Sequence, residues 1–288
     1  MPFAVPERLT VVDSTNRYLA DLARDGLPDR SQVPEGYAVV ADRQTKGRGR
    51  LSRTWEAPAG TGLLCSILFR PDLAPDQLHL TAWAVALAAV RACREIAGVE
   101  LVLKWPNDLL ARSPAAVPGG ASAEGGGGAG EPKVAGVLAE VLPRLATGAS
   151  LLWPEAPSGV VVGIGINVNW PPDWPPEHTT EEELASIADT ATALNRIAGR
   201  EIDRSELATR LLGHTGEWNA RLSSEHGRRS LASQYRLVCS TIGRKVRVQL
   251  ADESVTGRAV DVDDAGRLVV SNDTCLRTIS AGDVVHLR

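Results

Sequence analysis

Four cations, Lys46, Arg48, Arg50 and Arg53, crowd into the stretch Arg43-Gln-Thr-Lys-Gly-Arg-Gly-Arg-Leu-Ser-Arg-Thr-Trp55, arranged around two glycines and followed by an indole. Guanidinium groups present paired donors that match the oxygens of a phosphate. Glycine lets the backbone bend sharply and come close to a ligand. Trp55 offers a flat face on which a base can stack, and a neighbouring cation adds to the attraction. By residue type this is a loop for the phosphates of a nucleotide. A solvated basic turn would have the same composition, so the rest of the chain has to decide between the two.

Four more segments accompany it: Asp13-Ser-Thr-Asn16, Lys104-Trp-Pro-Asn-Asp108, Lys133-Val-Ala-Gly-Val-Leu-Ala-Glu140 and Val162-Gly-Ile-Gly-Ile-Asn-Val168. In this order the set resembles the biotin protein ligases, enzymes that attach biotin to a lysine of a carrier domain. The C-terminal stretches Gly266-Arg-Leu-Val-Val270 and Ser280-Ala-Gly-Asp-Val-Val-His-Leu-Arg288 resemble that family's small terminal barrel. The resemblance covers nearly the whole chain. Its one departure is residues 113–132, a Gly/Ala/Pro-rich run where the family has a tight hairpin. Such a run buries too little apolar surface to offset its ordering entropy and is expected to be a flexible surface insertion.

The reaction that this resemblance implies has two steps. A biotin carboxylate attacks the α-phosphate of ATP, giving biotinyl-5′-AMP and pyrophosphate. A lysine amine of a biotin carboxyl carrier domain then attacks the mixed anhydride and releases AMP. Neither step needs an enzyme nucleophile; both need charge neutralisation, alignment and exclusion of water. The resemblance makes Lys133, Arg48 and Arg50 the catalytic candidates, with Lys133 reaching the carboxylate and the α-phosphate. Arg50, Arg53 and Arg48 are set for the phosphates, Trp55 for the adenine or else for the core. Gly47 and Arg48 belong to the part of the loop that closes over biotin. Ser14, Thr15, Asn16 and Gln44 supply hydroxyls and amides for the biotin urea, and Gly136 lets a strand backbone approach the ring. Ser14 is equally suited to cap a helix. Asn107 and Asn167 are candidates for the adenine edge, Lys104 for phosphates or for acidic groups of the acceptor. Asp108 can hold a neighbouring cation or Mg²⁺ arriving with ATP.

Composition excludes several other classes. A net charge of −4 argues against a general nucleic-acid or membrane-surface binder. The four cysteines, Cys65, Cys93, Cys239 and Cys275, form no C-x-x-C pair, and the five histidines have no ligand spacing. No N-terminal signal is apparent, so the expected location is cytoplasmic and away from any membrane. Gly163-Ile-Gly165 lacks the third glycine of a dinucleotide fingerprint, and no G-x-x-x-x-G-K-[ST] loop occurs. Lysine is scarce, and three of the four, Lys46, Lys104 and Lys133, fall within the segments above.

These residues need a scaffold to bring them together. A helix is expected from Ser14, with Tyr18, Leu19 and Leu22 on its buried side. Strands are expected at Tyr37–Ala41, Leu63–Phe69, Leu101–Lys104, Lys133–Val141 and Val160–Val168, the last continuous enough to be buried on both faces. A long apolar helix should run from Gln77 to Ile96, and Asp203-Arg-Ser-Glu206 should cap another. After Tyr235 short alternating strands take over. The expected fold is α+β: a mixed β-sheet with packed helices, of the class II synthetase-like kind, over 1–237, and an SH3-like β-barrel over 238–288. Competing readings are a lipoate or octanoyl ligase, a biotin sensor without turnover, and a biotin-responsive DNA-binding repressor. The Ser-Thr-Asn motif starts at residue 14, so a ligase without a preceding DNA-binding domain is expected. Monomer and homodimer are both compatible with the sequence.

Overall fold

The computed structural model describes residues 3, 5–27, 32–112, 131–143, 158–174, 190–250, 252–272 and 275–287. The insertion expected at 113–132 lies outside the described residues up to 130. Strands β1 (Glu7–Val12), β2 (Ala38–Gln44), β3 (Gly62–Phe69), β4 (Leu101–Lys104), β5 (Asp108–Ala111), β6 (Lys133–Leu142) and β7 (Gly159–Asn167) form one seven-stranded sheet, ordered β1-β2-β3-β7-β6-β5-β4. The sheet is mixed because β1 runs parallel to β2 while the other pairs are antiparallel.

Its central strands are near-continuous apolar runs because both faces are covered. Cys65, Ile67, Phe69, Val160, Val162 and Ile164 face a core shared with α2 (His79–Ala97), α4 (Arg204–Leu222) and α5 (Glu225–Val238). Val39, Leu68 and Val161 face the other way, onto Leu19 of α1 (Thr15–Asp25). The short α3 (Leu194–Ala198) follows β7. Alternation along β7 therefore puts Gly163 and Gly165 on the α1 face, and that face carries the site.

Beyond α5, β8 (Lys245–Gln249), β9 (Ser254–Val262), β10 (Leu268–Ser271), β11 (Leu276–Ile279) and β12 (Asp283–His286) make a five-stranded antiparallel sheet, ordered β11-β10-β9-β8-β12. Val246, Val248, Val262 and Leu268 fill its inner side, and that core is continuous with the first. No helix among the described residues is long and apolar enough to cross a membrane.

The long helix starts at His79, because Pro75–Gln77 winds into a tighter 3₁₀ turn first. Asp203 caps α4 as expected, accepting from the Ser205 and Glu206 amides at 2.8 and 3.0 Å. Two strands were not anticipated. β1 is a largely exposed edge strand without clean alternation, and β5 is four residues emerging directly from the Lys104–Asp108 turn.

Candidate active site

The basic stretch folds as a hairpin over the end of the sheet. Its start is pinned to β1, with the Thr45 and Lys46 amides donating to Val12 and Asp13 carbonyls at 2.9 and 2.8 Å. It closes on itself through Gly49 N–H to Arg53 O (2.6 Å), Trp55 N–H to Gly47 O (3.0 Å) and the Arg48–Thr54 bridge. Leu51 at the tip sits in the left-handed region at φ 54°, a conformation that L residues rarely hold.

The three arginines point to three different walls. Arg48 pairs with Glu140 of β6 at 3.0 Å, Arg50 donates weakly to Asn107 Oδ1 at 3.5 Å, and Arg53 pairs with Asp283 of β12. Beneath the hairpin lies a cavity of about 300 Å³ lined by Ser14, Thr15, Asn16, Gln44, Arg48, Arg50, Arg53, Trp55, Lys104, Asn107, Asp108, Lys133 and Gly136. All but two of the residues selected from the sequence thus converge here. Gly47 lies instead on a second cavity of about 450 Å³, bordered by Trp174, which shares Gln44, Thr54 and Trp55 with the first. Asn167 lines neither cavity, and its amide donates to Thr192 O at 3.0 Å.

Trp55 divides the two cavities. Its indole rests on the β7 backbone, so closely that a Cβ at Gly165 would come within 2.5 Å of it. Lys133 Nζ lies 5.4 Å from the centre of the ring, and Trp55 Nε1 is buried without a partner. An unpaired buried donor marks a place where an acceptor is missing. Trp105, by contrast, is 2% exposed and its Nε1 donates to Gly266 O at 2.9 Å, which makes it part of the junction with the second sheet.

The polar end of the first cavity is a hydrogen-bonded chain. Ser14 occupies the cap position of α1, but its side chain makes no capping bond. Gln44 caps in its place: its Oε1 accepts from Thr15 N–H at 2.7 Å and from the Thr15 hydroxyl at 3.0 Å. The Ser14 hydroxyl is thereby released from the helix end. Asn16 is fixed on both sides. Its Oδ1 accepts from Ser66 Oγ at 2.6 Å, and its Nδ2 donates to Leu138 O at 3.2 Å and Glu140 Oε2 at 2.7 Å. Asn16 thus acts as a brace, and it fits only because position 163 has no side chain: a Cβ there would be 2.2 Å from Asn16 Oδ1. The two glycines of Gly163-Ile-Gly165 clear room for Asn16 and Trp55 on one sheet face.

Lys133 opens β6 at a register shift opposite Leu110 and reaches Asp108 Oδ1 at 2.6 Å. Asn107 is stitched to β6 by Val137 N–H to its carbonyl (2.9 Å) and by its own Nδ2 to Val137 O (3.1 Å). Cations crowd the centre. Burial pushes the Lys104 ammonium below its ordinary range, against the pull of Asp108, with Lys133 and Arg53 pushing further the same way. Burial likewise lowers Arg50, opposed by Asp283 and Asp108. Charges held at such a cost are stabilised when an anion enters. Nucleophilic chemistry by the core thiols is disfavoured, since burial raises Cys65 and Cys93 to about 12. No cluster of three metal-ligating acids, histidines or cysteines occurs among the described residues.

Sequence reading missed Ser66, Glu140 and Asp283. Ser66 had a signal, a polar residue inside an otherwise apolar strand, fully buried here. Glu140 had one too, since it lies four residues from Gly136 on the same strand face. Asp283 had none, because it reaches the cavity only through the docking of the second sheet.

Residues 9–153 match the biotin/lipoate A/B protein ligase family and residues 241–287 match the biotin protein ligase C terminal domain. A Mycobacterium tuberculosis protein named biotin--[acetyl-CoA-carboxylase] ligase is 34% identical, over 88% of this chain and 80% of its own length. The Bacillus subtilis bifunctional ligase/repressor BirA is 29% identical over 95% of this chain and 71% of its own length. The solved biotin protein ligase of Aquifex aeolicus, in complex with biotin and ATP, superimposes with a TM-score of 0.70 at 28% identity, covering 99% of this chain and 100% of that one. With its loop arginines, its lysine and a polar pocket gathered under one hairpin, and with these relatives, the chain belongs to the biotin protein ligase family.

Proposed function

We propose that the chain activates biotin as biotinyl-5′-AMP at the expense of ATP and transfers it to a lysine of a biotin carboxyl carrier domain. The observation that carries this reading is the convergence of Lys133, Arg48, Arg50 and Arg53 with Ser14, Thr15 and Gln44 on one cavity. A cavity that offers both cations and neutral donors and acceptors suits a molecule with a carboxylate and a urea.

The roles follow from the positions. Ser14, Thr15 and Gln44 bind the urea, while Asn16 braces them from behind. The biotin rings lie against Gly136, and Arg48 and Gly47 belong to the hairpin that covers them. Lys133 leaves Asp108 to meet the carboxylate and the α-phosphate, neutralising the repulsion between two anions in a dry site. Arg50 and Arg53 take the remaining phosphates, with Lys104 beside them. The adenine stacks on the indole of Trp55, which borders both cavities. Asn107 reaches the adenine edge from the turn, whereas Asn167 acts indirectly by holding Thr192. Once Lys133 turns to the substrate, the Asp108 carboxylate would be the group to hold a Mg²⁺ entering with ATP, and that ion would screen phosphate charge. In the second step the acceptor amine attacks the acyl carbon, its proton is lost to solvent, and AMP departs.

ATP–pyrophosphate exchange with biotin, lipoate or no acid tests the reading, because the matching family includes ligases for both acids. Exchange that depends on biotin supports it. Exchange with lipoate alone overturns it and moves the chain to the sister enzymes. Biotin binding without exchange would make the chain a sensor.

A further inference from the structure

The second sheet meets the cavity and the turn beside it through its last strand. Asp283, at the start of β12, holds Arg53. His286, at the end, stands between Arg244 and Thr241, with Nδ1 3.3 Å from Arg244 Nη1 and Nε2 3.1 Å from Thr241 Oγ1. An arginine can only donate, so Nδ1 accepts. A neutral ring then carries its proton on Nε2 and donates it to Thr241. Glu131, two residues before Lys133, fixes the far side of Arg244 at 2.8 Å.

Thr241 is fully buried, and its hydroxyl oxygen accepts two hydrogen bonds. One lone pair takes the His286 proton and the other takes the Trp105 amide at 3.0 Å. Trp105 is the second residue of the Lys104–Asp108 turn. The residue ahead of that turn is also tied to this segment, with Ser240 N–H donating to Leu103 O at 2.7 Å. Three residues further on, the same turn presents Asp108 to Lys133 at 2.6 Å and Asn107 to Arg50. A shift at Trp105 N therefore moves the partners of both cations, and a misplacement of an ångström at a reacting centre costs on the order of 10²-fold in rate.

We propose that Thr241 and His286 are positioning residues, a two-member relay that sets the Lys104–Asp108 turn from the last strand of the C-terminal sheet and so aims Lys133 and Arg50. Neither touches a reacting atom. The relay rests on the reading of the cavity as an adenylating centre, and it gives the C-terminal sheet a specific task in the first half-reaction.

Thr241→Val keeps the shape of the side chain but removes both acceptors, leaving Trp105 N–H and His286 Nε2–H unpaired. Thr241→Ser keeps the hydroxyl. Steady-state ATP–pyrophosphate exchange with biotin and MgATP, biotin affinity by titration, and melting temperature should be measured for both, and for His286→Ala. The expected result is a kcat for exchange lowered on the order of tenfold in Thr241→Val, a part of the roughly 10²-fold that an ångström of misplacement costs. His286→Ala should fall in the same direction, and Thr241→Ser should stay within about twofold of the parent, as hydroxyl retention requires. Biotin affinity should hold, since the relay touches none of Ser14, Thr15 and Gln44. Unchanged kcat in folded Thr241→Val overturns the relay, and so does equal loss in Thr241→Val and Thr241→Ser. If Thr241→Val does not fold, half-buried His286 decides: parent-like kcat in His286→Ala overturns the proposal. Absence of exchange in the parent chain is the distinct failure of the underlying reading.

Discussion

At the scale of single residues, the cavity is a set of cations each on loan to a carboxylate or amide: Lys133 to Asp108, Arg48 to Glu140, Arg53 to Asp283 and Arg50 to Asn107. Substrate binding has to exchange these partners for phosphate and carboxylate oxygens, so the cation and its resting partner have different mutational signatures. Lys133→Ala removes a donor used in the transition state and should lower exchange by about 10²–10³-fold with the fold intact; circular dichroism and exchange kinetics on one preparation check this. Glu140→Gln removes only the resting partner of Arg48. That pair is partly exposed, with side chains 48% and 30% accessible, and such pairs are worth about 0–1 kcal/mol. Exchange in Glu140→Gln should therefore remain within about fivefold of the parent, because an acceptor for Asn16 survives. A loss as deep as that of Lys133→Ala would mean that Glu140 takes part in the chemistry. The donors of this chemistry were legible in the sequence as residue types, but their partners were not. Asp108 and Lys133 are brought together by the pairing of β5 with β6, and Asp283 arrives from more than two hundred positions away.

At the scale of elements, the site depends on what β7 lacks. Gly163 and Gly165 leave a bare strip on the α1 face, filled by Asn16 from one side and Trp55 from the other. The two glycines differ in what a methyl group would disturb. At 165 it meets an indole on a surface hairpin, which can lift. At 163 it meets Asn16, which is buried and held by Ser66, Leu138 and Glu140. Overpacking of that kind costs about 1–3 kcal/mol, and at about 2–4 °C per kcal/mol for a domain of this size, Gly163→Ala should lower the melting temperature visibly. Gly165→Ala should instead spare stability and weaken ATP binding, through displacement of Trp55. Melting curves and the KM for ATP separate the two; equal loss of stability would show that the hairpin is as rigid as the α1 end. The strands that carry these positions were readable because both-face burial leaves a continuous apolar run, and α4 was readable from its Asp203 cap. The start of α1 was readable, but not its true cap. Ser14 has the right type and position, yet Gln44, 29 positions beyond Thr15 in the sequence, supplies the oxygen. Local propensity names the candidates for a cap, and tertiary packing chooses among them. β1 and β5 escaped for a related reason, being short strands that exist through their neighbours in the sheet.

At the scale of the whole molecule, two histidines lie on the seam between the sheets, and both are kept neutral. His286 is pushed down from 6.5 to about 4, by burial first and then by Arg244 and Lys104. His79, whose ring packs on the Gly266 turn of the second sheet, is pushed down by burial against the pull of the Asp76 carbonyl and of the carboxylates of Asp263, Asp76 and Asp264. An unfolded chain protonates such histidines near 6.5, whereas the folded chain takes up the proton only at lower pH, for His286 toward about 4. Between those values the unfolded state binds more protons, so stability rises with pH. The contribution of His286 is complete above about 6.5 and is lost as pH falls toward about 4. Carboxylates held low by partners, such as Glu95, Asp203 and Glu253, lose their contribution only as pH falls below their ordinary values of 4.5, 3.8 and 4.5. The interval from about pH 6.5 to about pH 5 thus isolates the histidines. The melting temperature should drop across it, and His286→Gln, which keeps a neutral donor and acceptor but cannot take a proton, should flatten part of the drop. His79→Gln should flatten another part, and the double variant more than either. A double variant with the parent's slope would place the pH sensitivity outside this seam. A flattened slope would show instead that the attachment of the C-terminal sheet, and with it the setting of the Lys104–Asp108 turn, depends on two imidazoles staying uncharged.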